Sequence, residues 1–165
     1  MSGLRARVWM WSLALRNELP WRRPTMVEAG IWVGGVPTLR RWRWLRGHGV
    51  SRFISLFGEV LPPAWLADAE DGLWLKVPDR SAPSTEDIER ACHFIDESRS
   101  RGAGVYVFCG SGMGRAPTAY LAWQVRGGID VGPALARLQE LRSVVSPTAI
   151  QREALVAWAT RQSKR

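Results

Sequence analysis

Cys109 and Arg115 are separated by five residues, Gly110-Ser111-Gly112-Met113-Gly114, three of them glycine. A thiol and a guanidinium at that spacing can share one small anionic group if the chain between them wraps around it. Glycine lets the backbone take positive φ and turn its N–H groups inward, so the loop can become a ring of donors. Arg115 can present two parallel N–H bonds to two phosphate oxygens and offset the charge that spreads over them as a bond to phosphorus breaks. The same positive field favours the thiolate form of Cys109, which is the nucleophilic form. The chemistry on offer is attack of Cys109 on a phosphate ester, with Gly110, Ser111, Gly112, Met113, Gly114 and Arg115 as the phosphate-binding loop.

That chemistry needs the loop to run from a strand into a helix. Val105-Tyr106-Val107-Phe108 is a continuous apolar run just before Cys109, the pattern of a central strand covered on both faces. Residues 116–125 have helical composition, and Pro117 suits a first turn, where a missing N–H costs little. The helix start adds unpaired donors and the positive end of its dipole. The alternative is a small buried Cys at a strand end beside an ordinary helix-start Arg, and it leaves the glycines without a purpose. A nucleotide-binding G-x-x-x-x-G-K-[ST] loop is excluded, since no such run occurs and Ala116 follows Arg115.

The elements that must carry this loop follow from the apolar pattern. Strands are expected at 31–33, ending in Gly34-Gly35, at 53–56 and at 73–77, where Pro78 stops the run. A helix is expected at 38–46. Ser84 reads as an N-cap with Asp87 closing a capping box, and Ile88, Ala91, Cys92 and Ile95 follow at helical spacing, which places Cys92 in the core. Residues 133–141 form a further helix, and Ser146-Pro147 opens a last one that runs through Trp158. The expected fold is a single α/β domain: a central, mostly parallel sheet flanked by helices, with the Cys-x5-Arg loop between a central strand and a helix.

The loop, taken with Ile31-Trp32-Val33-Gly34-Gly35-Val36-Pro37 and with Val145-Ser146-Pro147 before the last helix, resembles the dual-specificity branch of the protein tyrosine phosphatases. The resemblance covers residues 25–160, and Gly112 stands where that family has Gly three residues after its Cys. It implies hydrolysis of phosphate monoesters through a cysteinyl-phosphate, without metal or cofactor, on phosphotyrosine, phosphoserine or phosphothreonine proteins. It also implies a general-acid Asp about thirty residues before the Cys. Asp79, in Val77-Pro78-Asp79-Arg80-Ser81-Ala82-Pro83, fits that place, with Asp68, Asp71 and Asp87 as competitors. Two positions depart from the family, which usually has His before the Cys and Ser or Thr after the Arg. Here they are Phe108, which removes a polar neighbour, and Ala116, which removes a hydroxyl that helps the thiolate leave. The 112–117 stretch also looks like that of plant glucan phosphatases, which suggests that Ala116 alone does not abolish turnover. Two other readings stand beside the first: a lipid phosphatase similar to the phosphatidylglycerophosphate phosphatases of this family, and a silent phosphate-binding module that keeps recognition by Arg115.

Composition narrows the setting. With 165 residues, 46% hydrophobic and 23% charged, the chain has the profile of one globular domain rather than a disordered one. Two cysteines and two histidines are too few for a zinc cluster and give no secreted disulfide framework, so a reducing, cytoplasmic setting is expected. The net charge of +8 lies wholly in residues 1–52, which hold ten arginines against Glu18 and Glu28 and six of the ten tryptophans. Residues 1–24 therefore read as a basic, Trp-rich segment before a phosphatase-like domain at 25–165. No nucleic-acid-binding signature accompanies the charge, so nucleic acid is not expected as a partner. Leu4, Val8, Trp11 and Leu15 share one helical face, too short to span a bilayer. That face suits either peripheral contact with an anionic membrane or docking on the domain.

Overall fold

The computed structural model describes residues 3–164. The apolar run before Cys109 lies in the central strand β5 (Gly104–Cys109), all six residues of which are buried. β5 pairs in parallel with β2 (Ile31–Gly35) on one side and with β3 (Val50–Ser55) on the other. β4 (Asp71–Trp74) extends the sheet in parallel beyond β3, and β1 (Thr25–Glu28) closes the opposite edge antiparallel to β2. The sheet is mostly parallel, as expected. Parallel strands covered on both faces explain why β5 is apolar throughout rather than alternating.

Side chains still alternate along β5, and the two faces have different jobs. Val105, Val107 and Cys109 point into a layer built with α3 (Thr85–Ser100), α4 (Arg115–Arg126), α5 (Val131–Leu141) and α6 (Ala149–Gln162). Tyr106 and Phe108 point the other way, into an aromatic layer shared with Phe53, Phe57 and Trp42 of α2 (Leu39–Gly47). Phe108 stacks on Tyr106 at 5.4 Å and meets Phe53 at 6.0 Å. Each such fully buried large side chain contributes about 1.5–3 kcal/mol. The same layer receives α1 (Gly3–Arg16): Ala6, Met10 and Ala14 are buried, and Trp9 meets the Phe57 ring at 5.3 Å.

Several boundaries differ from those expected. β1 is not visible in the sequence pattern, because a four-residue edge strand with one buried side chain has no period to show. β4 begins and ends earlier than 73–77, since its partner β3 stops at Ser55 and the chain turns at Val77, whose N–H donates to Leu75 O. Ser84 does cap α3, accepting from Asp87 N at 3.1 Å, but the Asp87 carboxylate turns to Arg90 and completes no capping box. The reciprocal box is at α6, between Thr148 and Gln151. Ser146 lies outside that helix, which starts after the Thr148 cap, and its N–H donates to Met113 O in the loop between Cys109 and Arg115.

The strands that carry the site are fastened at their far ends by Arg52. This side chain, 2% exposed, lies 4.1 Å over the Phe94 ring and donates to Ser98 Oγ, Asp71 Oδ2 and Glu97 Oε2. It ties β3 to β4 and both to α3. The Asp71 and Glu97 carboxyls are held below their ordinary values, chiefly by hydrogen bonds from the Arg52 guanidinium. A carboxyl whose pKa is lower in the folded state stabilises above its unfolded value and loses that contribution as pH falls through its folded value. Arg52→Met should therefore lower the melting temperature near neutral pH, since it also removes the donor to the buried Ser98 hydroxyl. It should also flatten the fall of melting temperature with acidification below about pH 4.5, which thermal melts across pH 3–7 would detect.

Candidate active site

β5 delivers Cys109 at the carboxyl end of the central strand, on the face covered by α4, and the loop from Gly110 to Gly114 wraps around its sulfur. Gly112 N donates to Cys109 Sγ at 3.3 Å. The N–H groups of Ser111, Met113 and Gly114 have no acceptor among the described residues. They are unpaired donors of the kind that the glycine-rich sequence called for. Gly112 has φ of +69°, and a Cβ built there would sit 2.2 Å from the Gly34 carbonyl carbon. The position therefore accepts glycine for two reasons, conformation and the close passage of β2.

Two side chains that the sequence pattern did not mark, Arg142 and Asn17, hold the loop from behind, and a third, Tyr106, fixes the strand beside it. Arg142, 3% exposed, donates through Nε to Gly112 O at 3.1 Å and through Nη2 to Ser111 O at 3.5 Å. Its other bonds go to Arg22 O, Arg23 O and Thr25 Oγ1, so one guanidinium joins the loop to the segment before β1. Burial pushes the Arg142 pKa down, and the nearby Tyr106 and Cys109 oppose that shift. Asn17, just beyond α1, donates to Gly110 O at 2.9 Å and Val36 O at 3.1 Å. The Tyr106 hydroxyl, wholly buried, donates to Gly35 O at 2.5 Å and locks β2 against β5.

Arg115 opens α4 with its side chain only 4% exposed. Its Nη1 donates to both Glu59 oxygens, at 2.9 and 3.0 Å, and to Val77 O at 2.8 Å. Its Nη2 lies 3.1 Å from Asp79 Oδ1, and the guanidinium carbon is 5.6 Å from the centre of the Phe57 ring. The loops that follow β3, β4 and β5 meet at this one cation. Glu59 went unmarked in the sequence, although its place just after a parallel strand is where such sheets collect ligand-binding residues.

Asp79 is thus the carboxylate at the cysteine loop, and its competitors lie elsewhere. Asp68 accepts from Trp42 Nε1, Asp71 holds Arg52, and Asp87 faces Arg90 in the first turn of α3. The residue after Asp79 is in the left-handed region, Arg80 at φ +61°, a strained state for a side chain of that kind. Two bonds from the start of α6 keep it there: Thr148 Oγ1 donates to Arg80 O and Gln151 Nε2 to Ser81 O.

These groups enclose a cavity of about 220 Å³, with Cys109, Ser111, Met113 and Arg115 at its floor and Asp79, Arg80, Thr148 and Gln151 on its walls. Phe108 has no place in it, because alternation along β5 turns its ring into the aromatic layer behind. Ala116 is fully buried at the first turn of α4. The second cysteine, Cys92, is core as expected, and burial pushes its thiol up to about 12, so it stays protonated.

Residues 20–157 match the family described as "PTP-NADK: DSP-PTPase phosphatase fused to NAD+ Kinase". The chain belongs to this family of dual-specificity-type, cysteine-based tyrosine phosphatase domains. Solved structures share its fold. Tk-PTP in its active form superposes with a TM-score of 0.77 at 23% identity, covering 86% of this chain and 99% of that one. PTPMT1 in complex with PI(5)P gives 0.77 at 20%, over 84% and 96%. A leucine rich repeat and phosphatase domain containing protein from Entamoeba histolytica gives 0.75 at 20%, over 88% and 96%.

Because Arg142 satisfies carbonyls on both sides of it, removing its guanidinium should loosen the donor ring before it unfolds the protein. Arg142→Met is expected to weaken competitive inhibition by inorganic phosphate or tungstate roughly tenfold or more, the equivalent of one or two stranded carbonyls. Arg142→Lys should restore part of the affinity, and equal inhibition constants in all three proteins would show that the loop holds itself.

Proposed function

We propose that this chain hydrolyses phosphate monoesters through a phosphoenzyme on Cys109. The observation that carries the reading is the meeting, in one cavity, of a buried thiol, free loop N–H groups, the Arg115 guanidinium and the Asp79 carboxyl. A substrate phosphate sits in the donor ring, and its oxygens take the Arg115 Nη2 bond that Asp79 holds in the free protein. The Cys109 thiolate attacks phosphorus, the ester bond breaks, and Asp79 gives its proton to the departing oxygen. In the second step the Asp79 carboxylate takes a proton from water as that water attacks the cysteinyl-phosphate. Inorganic phosphate and the thiolate are released, and atoms and charge balance without a metal or cofactor. Glu59 touches no substrate in this scheme and acts by aiming Arg115.

For the substrate, phosphorylated tyrosine, serine or threonine side chains are the first reading, supported by membership of the dual-specificity group. The thiolate chemistry suits a reducing, cytoplasmic setting. A second reading, a phospholipid headgroup, is favoured by an apolar, arginine-flanked face of α1 that is turned to solvent. A substrate panel of phosphopeptides and phosphoinositides distinguishes the two.

Cys109→Ser should abolish release of phosphate from p-nitrophenyl phosphate while leaving tungstate binding nearly intact, because the hydroxyl is a poor nucleophile in an undamaged donor ring. A wild-type protein that binds tungstate yet turns over nothing would instead identify a phosphate-binding module. Asp79→Asn should slow phosphoenzyme formation about 10²–10⁴-fold for alkyl phosphates and far less for p-nitrophenyl phosphate, whose leaving group needs little protonation. Equal slowing of both in rapid-quench kinetics would point to a different acid.

A further inference from the structure

α1 has two faces, and the catalytic loop uses only one of them. Ala6, Met10 and Ala14 are buried, Trp9 meets Phe57, and Asn17 reaches the loop carbonyl of Gly110. The opposite face carries Leu4, Val8 and Leu15 in one stripe, with Trp11, 45% exposed, in the same stripe but packed on Trp65 at 4.6 Å. Leu4 is 75%, Val8 62% and Leu15 64% exposed. Leu19 and Trp21, the latter 59% exposed, are further exposed apolar side chains just beyond the helix. Leu39 of α2 faces Trp11 and Leu15 across a groove of about 630 Å³. Contiguous exposed apolar surface of this kind marks a contact site.

The rim of that surface is positive. Arg23, Arg40 and Arg43 line the groove, and Arg5 and Arg16 lie beside the stripe on the helix. Among the described residues only Arg40 of these five has a carboxylate within reach. That carboxylate is Glu18 at 4.0 Å, which Arg41 already holds at 2.6 Å. The other acid of residues 1–52, Glu28, is bonded to Arg99. An apolar ridge with exposed tryptophan and unneutralised arginines complements the interface of an anionic bilayer: alkyl side chains among acyl chains, indole rings at headgroup depth, guanidinium groups on phosphates.

We propose that α1 and the segment 19–23 dock this protein on an anionic membrane surface, with Leu4, Val8, Trp11 and Leu15 inserted and the flanking arginines on lipid phosphates. No helix of the described residues is long and apolar enough to cross a membrane, so the contact lies in the plane of the interface. The proposal rests on the phospholipid reading only for its consequence; the surface itself is argued without Cys109, and its test reads binding.

Deleting α1 would also remove Trp9 and the support that precedes Asn17, so the test substitutes exposed side chains. Wild type, the triple variant Leu4→Ser/Val8→Ser/Leu15→Ser and the double variant Arg5→Gln/Arg16→Gln are sedimented with phosphatidylcholine vesicles, with and without phosphatidylglycerol, at low and high salt. Wild type should bind only the vesicles that contain phosphatidylglycerol and leave them at high salt. The triple variant should bind at least about tenfold more weakly, and the double variant roughly fivefold more weakly for each arginine lost. Melting temperature and hydrolysis of p-nitrophenyl phosphate should stay the same in all three, which separates failure of docking from failure of the catalytic reading. If the triple variant melts early, the double variant decides alone. Wild type that ignores phosphatidylglycerol at low salt, or variants that bind as wild type does, overturns the proposal. So does a wild-type dimer in sedimentation velocity that the triple variant lacks, since a second copy would then cover the stripe.

Discussion

A guanidinium that is almost wholly out of water has to be matched by charge, and the site is organised around that requirement. Stripping Arg115 of its hydration costs several kcal/mol unless carboxylates and carbonyls replace the lost water. Glu59, Val77 O and Asp79 replace it, and they come from the loops after β3 and β4 while Arg115 itself starts α4. The loops are therefore ordered by the cation, and the cation is aimed by the loops. The two carboxylates are not equivalent. Glu59, four-fifths buried, grips Nη1, whereas Asp79, more than half exposed, holds Nη2 at the cavity and is the partner an entering phosphate can displace.

Behind the loop the same logic is repeated with neutral acceptors. Carbonyls that turn outward when N–H groups turn inward must be satisfied, and Arg142 and Asn17 do this for Gly110, Ser111 and Gly112. A donor ring that can bind an anion is thus the visible half of an arrangement whose other half is a set of backbone oxygens bonded from behind. Asn17 brings α1 into that arrangement, so the helix is part of the support for the chemistry as well as a surface.

Cys109, Arg115, Gly112 and the strand-to-helix setting were legible in the sequence because they are contiguous and each residue type has one clear use there. The mostly parallel sheet followed from the unbroken apolar β5. Asp79 was reachable only through family resemblance, since spacing alone does not distinguish it from Asp68 or Asp71. Glu59, Arg142 and Asn17 were not legible, because each acts across a distance in sequence that no local period records. Phe108 shows the reverse case. Its neighbour in sequence is Cys109, but strand alternation makes its neighbours in space Tyr106 and Phe53.

The strand order β1-β2-β5-β3-β4 has a consequence for synthesis. β2 and β3 leave the ribosome early but are not partners; each waits for β5, which fills the place between them and is made some fifty to seventy residues later. Arg142 and Ser146, which brace the loop, emerge later still. A nascent chain that has reached α3 holds two unpaired apolar strand edges and no sheet centre, a form open to wrong pairing. The centre of the sheet therefore closes only after β5 has been made, when β2 and β3 gain their shared partner together.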